Sequence, residues 1–212
     1  MGLFLKKTIP HGTLGIWEIV EPLGELYRKA SLTTAEQKFY ASLLSPLRKK
    51  HWLSYRLILP YLLEPDSASG ISYDQYGKPH LDNGAGHISV AHSGKYSALI
   101  TSQTKAVGVD IEALHPKIFK LTHKFLSDEE LEYKFNTNAW ESLYLIWCAK
   151  EALYKLYGKK GLSFREHILI EPFVFTGNGK ITGHIKTQET SGRYSLFYES
   201  IENYLLVYTI DI

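Results

Sequence analysis

Four short stretches carry residues whose types and spacing could do chemistry. In GVDIEALHP, residues 108–116, Asp110 and Glu112 stand two apart inside an apolar run. Residues two apart on a strand share a face, so the carboxylates project together while Val109 and Ile111 point the other way. Paired carboxylates repel unless a cation sits between them, and an all-oxygen pair suits Mg2+ or Mn2+. The competing reading is an edge strand whose acidic face is solvated or ion-paired. In WCAKEALYK, residues 147–155, Glu151 and Lys155 are four apart and share a helix face with Trp147. They form either part of a site or an ordinary surface pair, while Lys150 falls at another azimuth, where solvent is expected. In SVAHSGK, residues 89–95, His92 sits beside Ser93 and Gly94. It is either a donor to an anion, next to exposed backbone N–H groups, or a structural histidine. No G-x-S-x-G elbow accompanies it, so the Ser-His neighbours do not make a hydrolase. YGKPHL, residues 76–81, sets Lys78 at the edge of a turn.

The surrounding pattern says what must hold these residues. LTTAEQKFYASLLSPLRKKHWLSYRLILPYLLEP has helical spacing interrupted at Pro46, which predicts two helices, the second over about 46–63. Arg48, His51, Trp52, Tyr55 and Arg56 recur on it at three- and four-residue intervals. SASGISYDQYGKPHLDNGAG reads as turns with short extended pieces, and HISVAHSGKYSALITS as a hairpin turning at Ser93-Gly94. After the GVDIE strand, KIFKLTHKFLSDEELEYKF reads as helical, with Ser127 and Glu130 spaced as a capping box. AWESLYLIWCAKEALYKLYG is a longer helix stopped by Gly158, and the remaining chain alternates like antiparallel strands. Each half therefore reads as a long helix followed by a small sheet. The order predicts a pseudo-duplicated α+β protein dividing near 101–105, into halves 1–103 and 104–212.

With 212 residues the chain can bury a substantial core, and a formal charge of +2 does not make nucleic acid the default partner. Cys148 is the only cysteine. An intramolecular disulfide framework and a cysteine zinc cluster are thereby excluded, which fits a reducing, cytoplasmic setting. MGLFLKKTIPHG has the wrong order and length for a signal peptide, and no run approaches the roughly 18 apolar residues of a spanning helix. No membrane association is expected.

Taken in order, Gly77-Lys78-Pro79, the His92-Ser93-Gly94 turn, GVDIE, FLSDEE, and WCAKEALYK followed by GKKGLS resemble the 4′-phosphopantetheinyl transferase superfamily. The likeness is to its surfactin-synthetase-activating (Sfp) type, whose single chain holds two similar halves, and it spans roughly residues 48–165. GVDIE with WCAKEALYK is its specific part. The resemblance implies two α/β halves, each a long helix on a small, mainly antiparallel sheet, with the active site between them. The first half would take the adenine and 3′-phosphate side of coenzyme A, and the second would carry the metal and catalytic motifs.

The activity it implies is transfer of the 4′-phosphopantetheine arm of coenzyme A to a serine of an apo acyl or peptidyl carrier protein. The transfer depends on Mg2+, with Mn2+ as a substitute, and releases adenosine 3′,5′-bisphosphate. By the same resemblance, Asp110, Glu112 and Glu151 would hold the metal, and Lys155 would act on the pyrophosphate. His92, Lys78, Arg48 and Arg56 would contact the coenzyme's phosphates, the two arginines near the 3′-phosphate or packing against that region. Glu130 would hold a metal-bound water or take the carrier serine's proton, against the capping-box alternative. A monomer is implied. One departure stands out: Ala91 occupies the first serine position of the family's Ser-His-Ser, removing a hydroxyl from the phosphate site. A metal-dependent phosphodiesterase or nuclease, and a carrier-binding module without catalysis, are the other readings of the same residues.

Overall fold

The computed structural model describes residues 2–64, 70–82, 84, 86–132 and 139–211. Its first sheet is built from β1 (Leu3–Ile9), β2 (Gly12–Glu18), β3 (Ile71–Tyr73), β4 (Pro79–Leu81), β5 (His87–Ser93) and β6 (Tyr96–Ser102). The order across this sheet is β1-β2-β6-β5-β4-β3, and every pairing is antiparallel. Between β2 and β3 the chain forms α1 (Leu23–Lys29), α2 (Thr34–Ser42) and α3 (Pro46–Leu62), with α3 lying on β2 and β6.

The second sheet starts at β7 (Val107–Ala113) and ends with β8 (Ile168–Ile170), β9 (Asn178–Lys186), β10 (Ser191–Ile201) and β11 (Tyr204–Ile210). Its order is β7-β11-β10-β9-β8, again all antiparallel. A 3-10 turn (Pro116–Leu121), α4 (Thr122–Phe125), α5 (Asp128–Glu132) and α6 (Trp140–Tyr157) lie between β7 and β8, with α6 across β7 and β11. The fold is α+β, with two antiparallel sheets that each carry one long helix.

Local rules explain the long helices. The Ser45 hydroxyl accepts the Arg48 N–H ahead of α3, and Pro46 takes the first position, where its missing N–H costs nothing. α6 stops at Gly158, whose φ of 71° is open to glycine and strained for other residues. Two expectations need adjusting. The β5–β6 pairing reaches Ser93 opposite Tyr96, so the turn residues are Gly94 and Lys95 rather than Ser93 and Gly94. The helical region expected after residue 116 is three short pieces, and residues 133–135 of it lie outside the described residues.

β7 lies at the edge of its own sheet but is not open to solvent there. Val109 and Ile111 enter a core shared by both sheets, with Ile16, Ala91, Tyr96 and Ala98 from one side and Leu206 and Tyr208 from the other. The backbone N–H groups of Val109 and Ala113 are satisfied by the Ser89 and Ser93 hydroxyls of β5, at 3.1 and 3.2 Å. Those serines and their partners are each four residues apart, so one strand face meets one strand edge in fixed register. On the other face Gly108 packs under α6, where a Cβ would collide with the Ala152 carbonyl. Glycine at the head of GVDIE thus lets the helix bearing Glu151 and Lys155 close down on the strand bearing Asp110 and Glu112.

Candidate active site

The alternation of β7 turns Asp110 and Glu112 towards α6, away from the shared core. Asp110 is 5% exposed, which removes the solvated-edge reading for it. Its Oδ1 accepts from Lys155 Nζ at 2.7 Å, and the same ammonium donates to the Val109 carbonyl at 3.0 Å. Asp110 Oδ2 is buried with no hydrogen-bond partner. Glu112 is half-buried and its Oε2 accepts from the Ser93 hydroxyl at 2.8 Å.

Crowding of like charge sets the electrostatics. Burial and then the Asp110 charge push the Glu151 carboxyl up to about 7, Lys155 offsetting only part of this. Glu112 is raised for the same two reasons, with the Ser93 hydrogen bond pulling the other way. For Lys155 burial acts to lower its pKa, yet the facing Asp110 and Glu151 outweigh it and hold the amine above its ordinary value. Three carboxylates thus crowd Lys155, with Lys117 acting on Glu112 from farther off.

Above this floor a cleft of about 510 Å³ opens between the halves. Asp110, Lys155, Arg48 and His92 line it together with the rings of Phe39, Trp52, Tyr55 and Tyr73. A smaller cavity of about 150 Å³ shares Tyr73, Gly77, Val90 and Lys155 with it and adds Lys78 and Lys159. His92 stacks on His51, ring centroids 4.3 Å apart and planes 11° from parallel. His51 in turn bonds the Gly94 carbonyl at 2.8 Å. Although His92 is exposed at its outer side, desolvation where it faces the protein, then the neighbouring His51 and Lys155, push it down to about 4, which favours the neutral imidazole at neutral pH.

Not every expected residue reaches the cleft freely. Arg56 is stacked on Trp52, 3.5 Å from the ring, and donates to Glu36 and to the Trp52 and Ile71 carbonyls. Its guanidinium is buried and occupied by these partners. Lys78 donates to the Leu156 carbonyl at 3.2 Å and lies against Gly158, capping the C-terminus of α6 with a cation from the other half.

Glu130 requires a correction. It is 0% exposed, and both oxygens are taken: Oε1 by the Ile170 N–H, Oε2 by the Ser127 N–H and by Lys150. The Ser127 hydroxyl accepts the Glu130 N–H, so the capping box is present and the carboxylate cannot reach a carrier serine. Lys150, expected in solvent, is its fully buried partner and also donates to the Phe125, Phe164 and Ile168 carbonyls. The sequence reading also passed over His51 as the ring that seats His92 and Ser93 as the hydroxyl on Glu112. His51 does recur on the α3 face that carries Trp52 and Tyr55, a signal too weak to single it out.

Among the described residues no three acidic, histidine or cysteine side chains already stand in a metal-holding cluster. The donor set nonetheless fits a hard cation. It is all oxygen, and Asp110 Oδ2 is a buried acceptor without a donor.

Acidic groups, a lysine and an aromatic-walled cleft where the two α+β halves meet form the candidate site. In comparison with known proteins, residues 106–209 match the family model of the 4′-phosphopantetheinyl transferase superfamily. The chain is 29% identical over 155 residues to the 4′-phosphopantetheinyl transferase of Bacillus subtilis, an alignment covering 69% of this chain and 64% of that one. It is 32% identical over 128 residues to a Synechocystis relative carrying the same family name, covering 54% and 52%. With AcpT of Salmonella typhimurium the figures are 29% over 118 residues, 53% and 60%. Residues 106–209 thus belong to the 4′-phosphopantetheinyl transferase superfamily, and the chain spans between about half and 64% of the length of these relatives.

Proposed function

We propose that the protein transfers the 4′-phosphopantetheine arm of coenzyme A to a serine of an apo acyl or peptidyl carrier protein, as an enzyme of the Sfp type. The observation that carries this is the junction itself: a buried, unpartnered Asp110 oxygen beside Lys155 in a cleft lined with Arg48, His92 and aromatic rings.

In this reading the adenine lies in the first half, against Tyr73, Tyr55 and Trp52, with its 3′-phosphate towards Arg48 and His92. Lys155 and the amine of Lys78 flank the pyrophosphate. Asp110, Glu112 and Glu151 hold Mg2+, or Mn2+ in its place, and the cation supplies neutralisation of the pyrophosphate charge. The carrier serine oxygen forms a bond to the β-phosphorus as the bond to the bridging oxygen breaks, and adenosine 3′,5′-bisphosphate leaves with that electron pair. The serine proton passes to water, since in this reading Asp110, Glu112 and Glu151 are all committed to the cation. Lys155 offers its charge to the leaving phosphate. His92, neutral at neutral pH, donates an N–H to a phosphate oxygen rather than a full charge. The missing hydroxyl at Ala91 weakens coenzyme binding at that phosphate without touching the acidic floor.

An acidic carrier would dock on the basic run after β7, where Lys117, Lys120 and Lys124 are exposed around the 43%-exposed Phe119, with Lys159 and Lys160 on the other flank. We place the protein in the cytoplasm as a monomer, with no nucleic-acid or membrane partner. The direct test is incubation with coenzyme A, Mg2+ and an apo carrier, followed by mass spectrometry: the carrier gains one phosphopantetheine. Coenzyme cleavage without that gain would make the protein a phosphodiesterase, and carrier binding with neither would make it a non-catalytic module.

A further inference from the structure

Ser93 bridges the two halves, and its hydroxyl has its hydrogen-bonding capacity divided in a directed way. It accepts the Ala113 N–H at 3.2 Å, a backbone donor that no rotation of Ser93 can turn into an acceptor. Its own proton is therefore free to go to one place, Glu112 Oε2, 2.8 Å away. Ser89, four residues earlier on the same face of β5, makes the same backbone contact with the Val109 N–H but touches no carboxylate. The pair is an internal control written into the fold: two serines join the halves, and one of them also aims a side chain.

The turn that carries Ser93 is held from several sides. His51 bonds the Gly94 carbonyl, the Tyr204 hydroxyl accepts the Lys95 N–H at 3.2 Å, and Lys95 Nζ pairs with Glu18 and Glu202 at 2.8 Å each. A hydroxyl on so restrained a turn is a fixed donor. Glu112 is left with one oxygen bound by Ser93, while its carboxylate remains on the same strand face as Asp110.

We propose that Ser93 is a positioning residue for Glu112: the first half, through this one hydroxyl, orients a carboxylate that the second half contributes to the cation site. The proposal rests on the reading of Asp110, Glu112 and Glu151 as holders of Mg2+. A hydroxyl donor on one oxygen of a carboxylate fixes its rotamer and directs the other oxygen, and loss of such outer hydrogen bonds typically weakens metal affinity by about 10- to 100-fold. It also makes formation of the site depend on docking of the halves, because neither half alone holds both Ser93 and Glu112.

The test is a Mg2+ titration of the full chain with two readouts. One is the thermal midpoint with Mg2+ alone, and the other is transfer to the carrier at saturating coenzyme A. Ser93→Ala is expected to move the half-effective Mg2+ concentration up by about 10-fold or more in both, with turnover largely recovered at high Mg2+. Ser93→Thr, which keeps the hydroxyl, restores the wild-type concentration, and Ser89→Ala leaves it unchanged although it removes a hydrogen bond of the same kind. Should Ser93→Ala fail to fold, Ser93→Cys retains the volume with a weak donor and is expected to show the same shift. An unchanged Mg2+ midpoint in Ser93→Ala, or in Ser93→Cys where the alanine variant does not fold, or an equal shift in Ser89→Ala, overturns the proposal and leaves Ser93 a structural contact. A wild-type chain whose thermal midpoint and transfer ignore Mg2+ removes the metal reading itself and the proposal with it.

Discussion

Helix α6 carries two lysine–carboxylate pairs five residues apart, and their surroundings give them opposite properties. Lys150 and Glu130 are both 0% exposed, 2.6 Å apart, and every remaining polar atom of the pair is bonded to backbone from Phe125, Ser127, Phe164, Ile168 or Ile170. Lys155 and Asp110 are 2.7 Å apart, but the lysine is 26% exposed along its side chain, Asp110 Oδ2 has no donor, and two further carboxylates crowd the pair. A saturated buried pair ties distant segments together and has nothing left to offer a ligand. An unsaturated one lining a cleft keeps an acceptor available. The same residue types on one helix thus serve structure at one end and a site at the other.

The largest effect is expected from breaking the sealed pair. Lys150→Met would leave the Glu130 charge buried without its counter-cation and three carbonyls without the lysine donor, a loss of about 3–5 kcal/mol in a urea unfolding experiment. Adding Glu130→Leu should recover only part of that, since the Ser127 and Ile170 N–H groups then lose their acceptor. Asp110→Ala is expected to do the reverse. Transfer falls by about 10²–10³-fold while the thermal midpoint stays near that of wild type. A midpoint that collapses instead would return Asp110 to a structural role and erase the contrast between the two pairs. Lys155→Ala comes next, with a loss of about 10- to 100-fold in kcat and little change in unfolding, measured on the same carrier assay.

The smallest effect concerns the stacked histidines. The folded state holds His92 down at about 4 against an ordinary value of 6.5, so it favours the neutral ring. The stability this contributes is present above about pH 6.5 and is lost as pH falls towards about 4, where protonation is forced on the stack. Unfolding midpoints of wild type and His92→Gln, compared across that window, should converge as the pH drops. Curves that stay parallel would show that the ring is solvated well enough to titrate normally and does not take part in the site as a neutral donor.

How far each region was legible follows from the range of the interactions that make it. The two-residue alternation of GVDIE correctly separated Val109 and Ile111 from Asp110 and Glu112, because strand period is local. The Ser127/Glu130 capping box was equally legible, as were the Pro46 start and Gly158 stop of the long helices. Lys150 was misjudged for a physical reason: helical azimuth says which way a side chain leaves the axis, not what waits there. What waits is three carbonyls and a glutamate brought in from 14 to 25 residues away. The Glu36 partner of Arg56 escapes the sequence for the same reason, lying 20 residues upstream on another helix.

The sequence by itself determined the elements, their caps, the face on which each carboxylate and Lys155 would stand, and a motif order sufficient to indicate the superfamily. Those depend on residue type and on periods of two or about 3.6 residues, which the chain carries wherever it folds. Tertiary structure alone decided which lysine is sealed and which is open, that Ser89 and Ser93 stitch β7 to the other half, and that His51 seats His92. Those outcomes are set by burial and by partners from the opposite half, and no local pattern contains either until Gly108 lets α6 close onto β7 and the two halves meet.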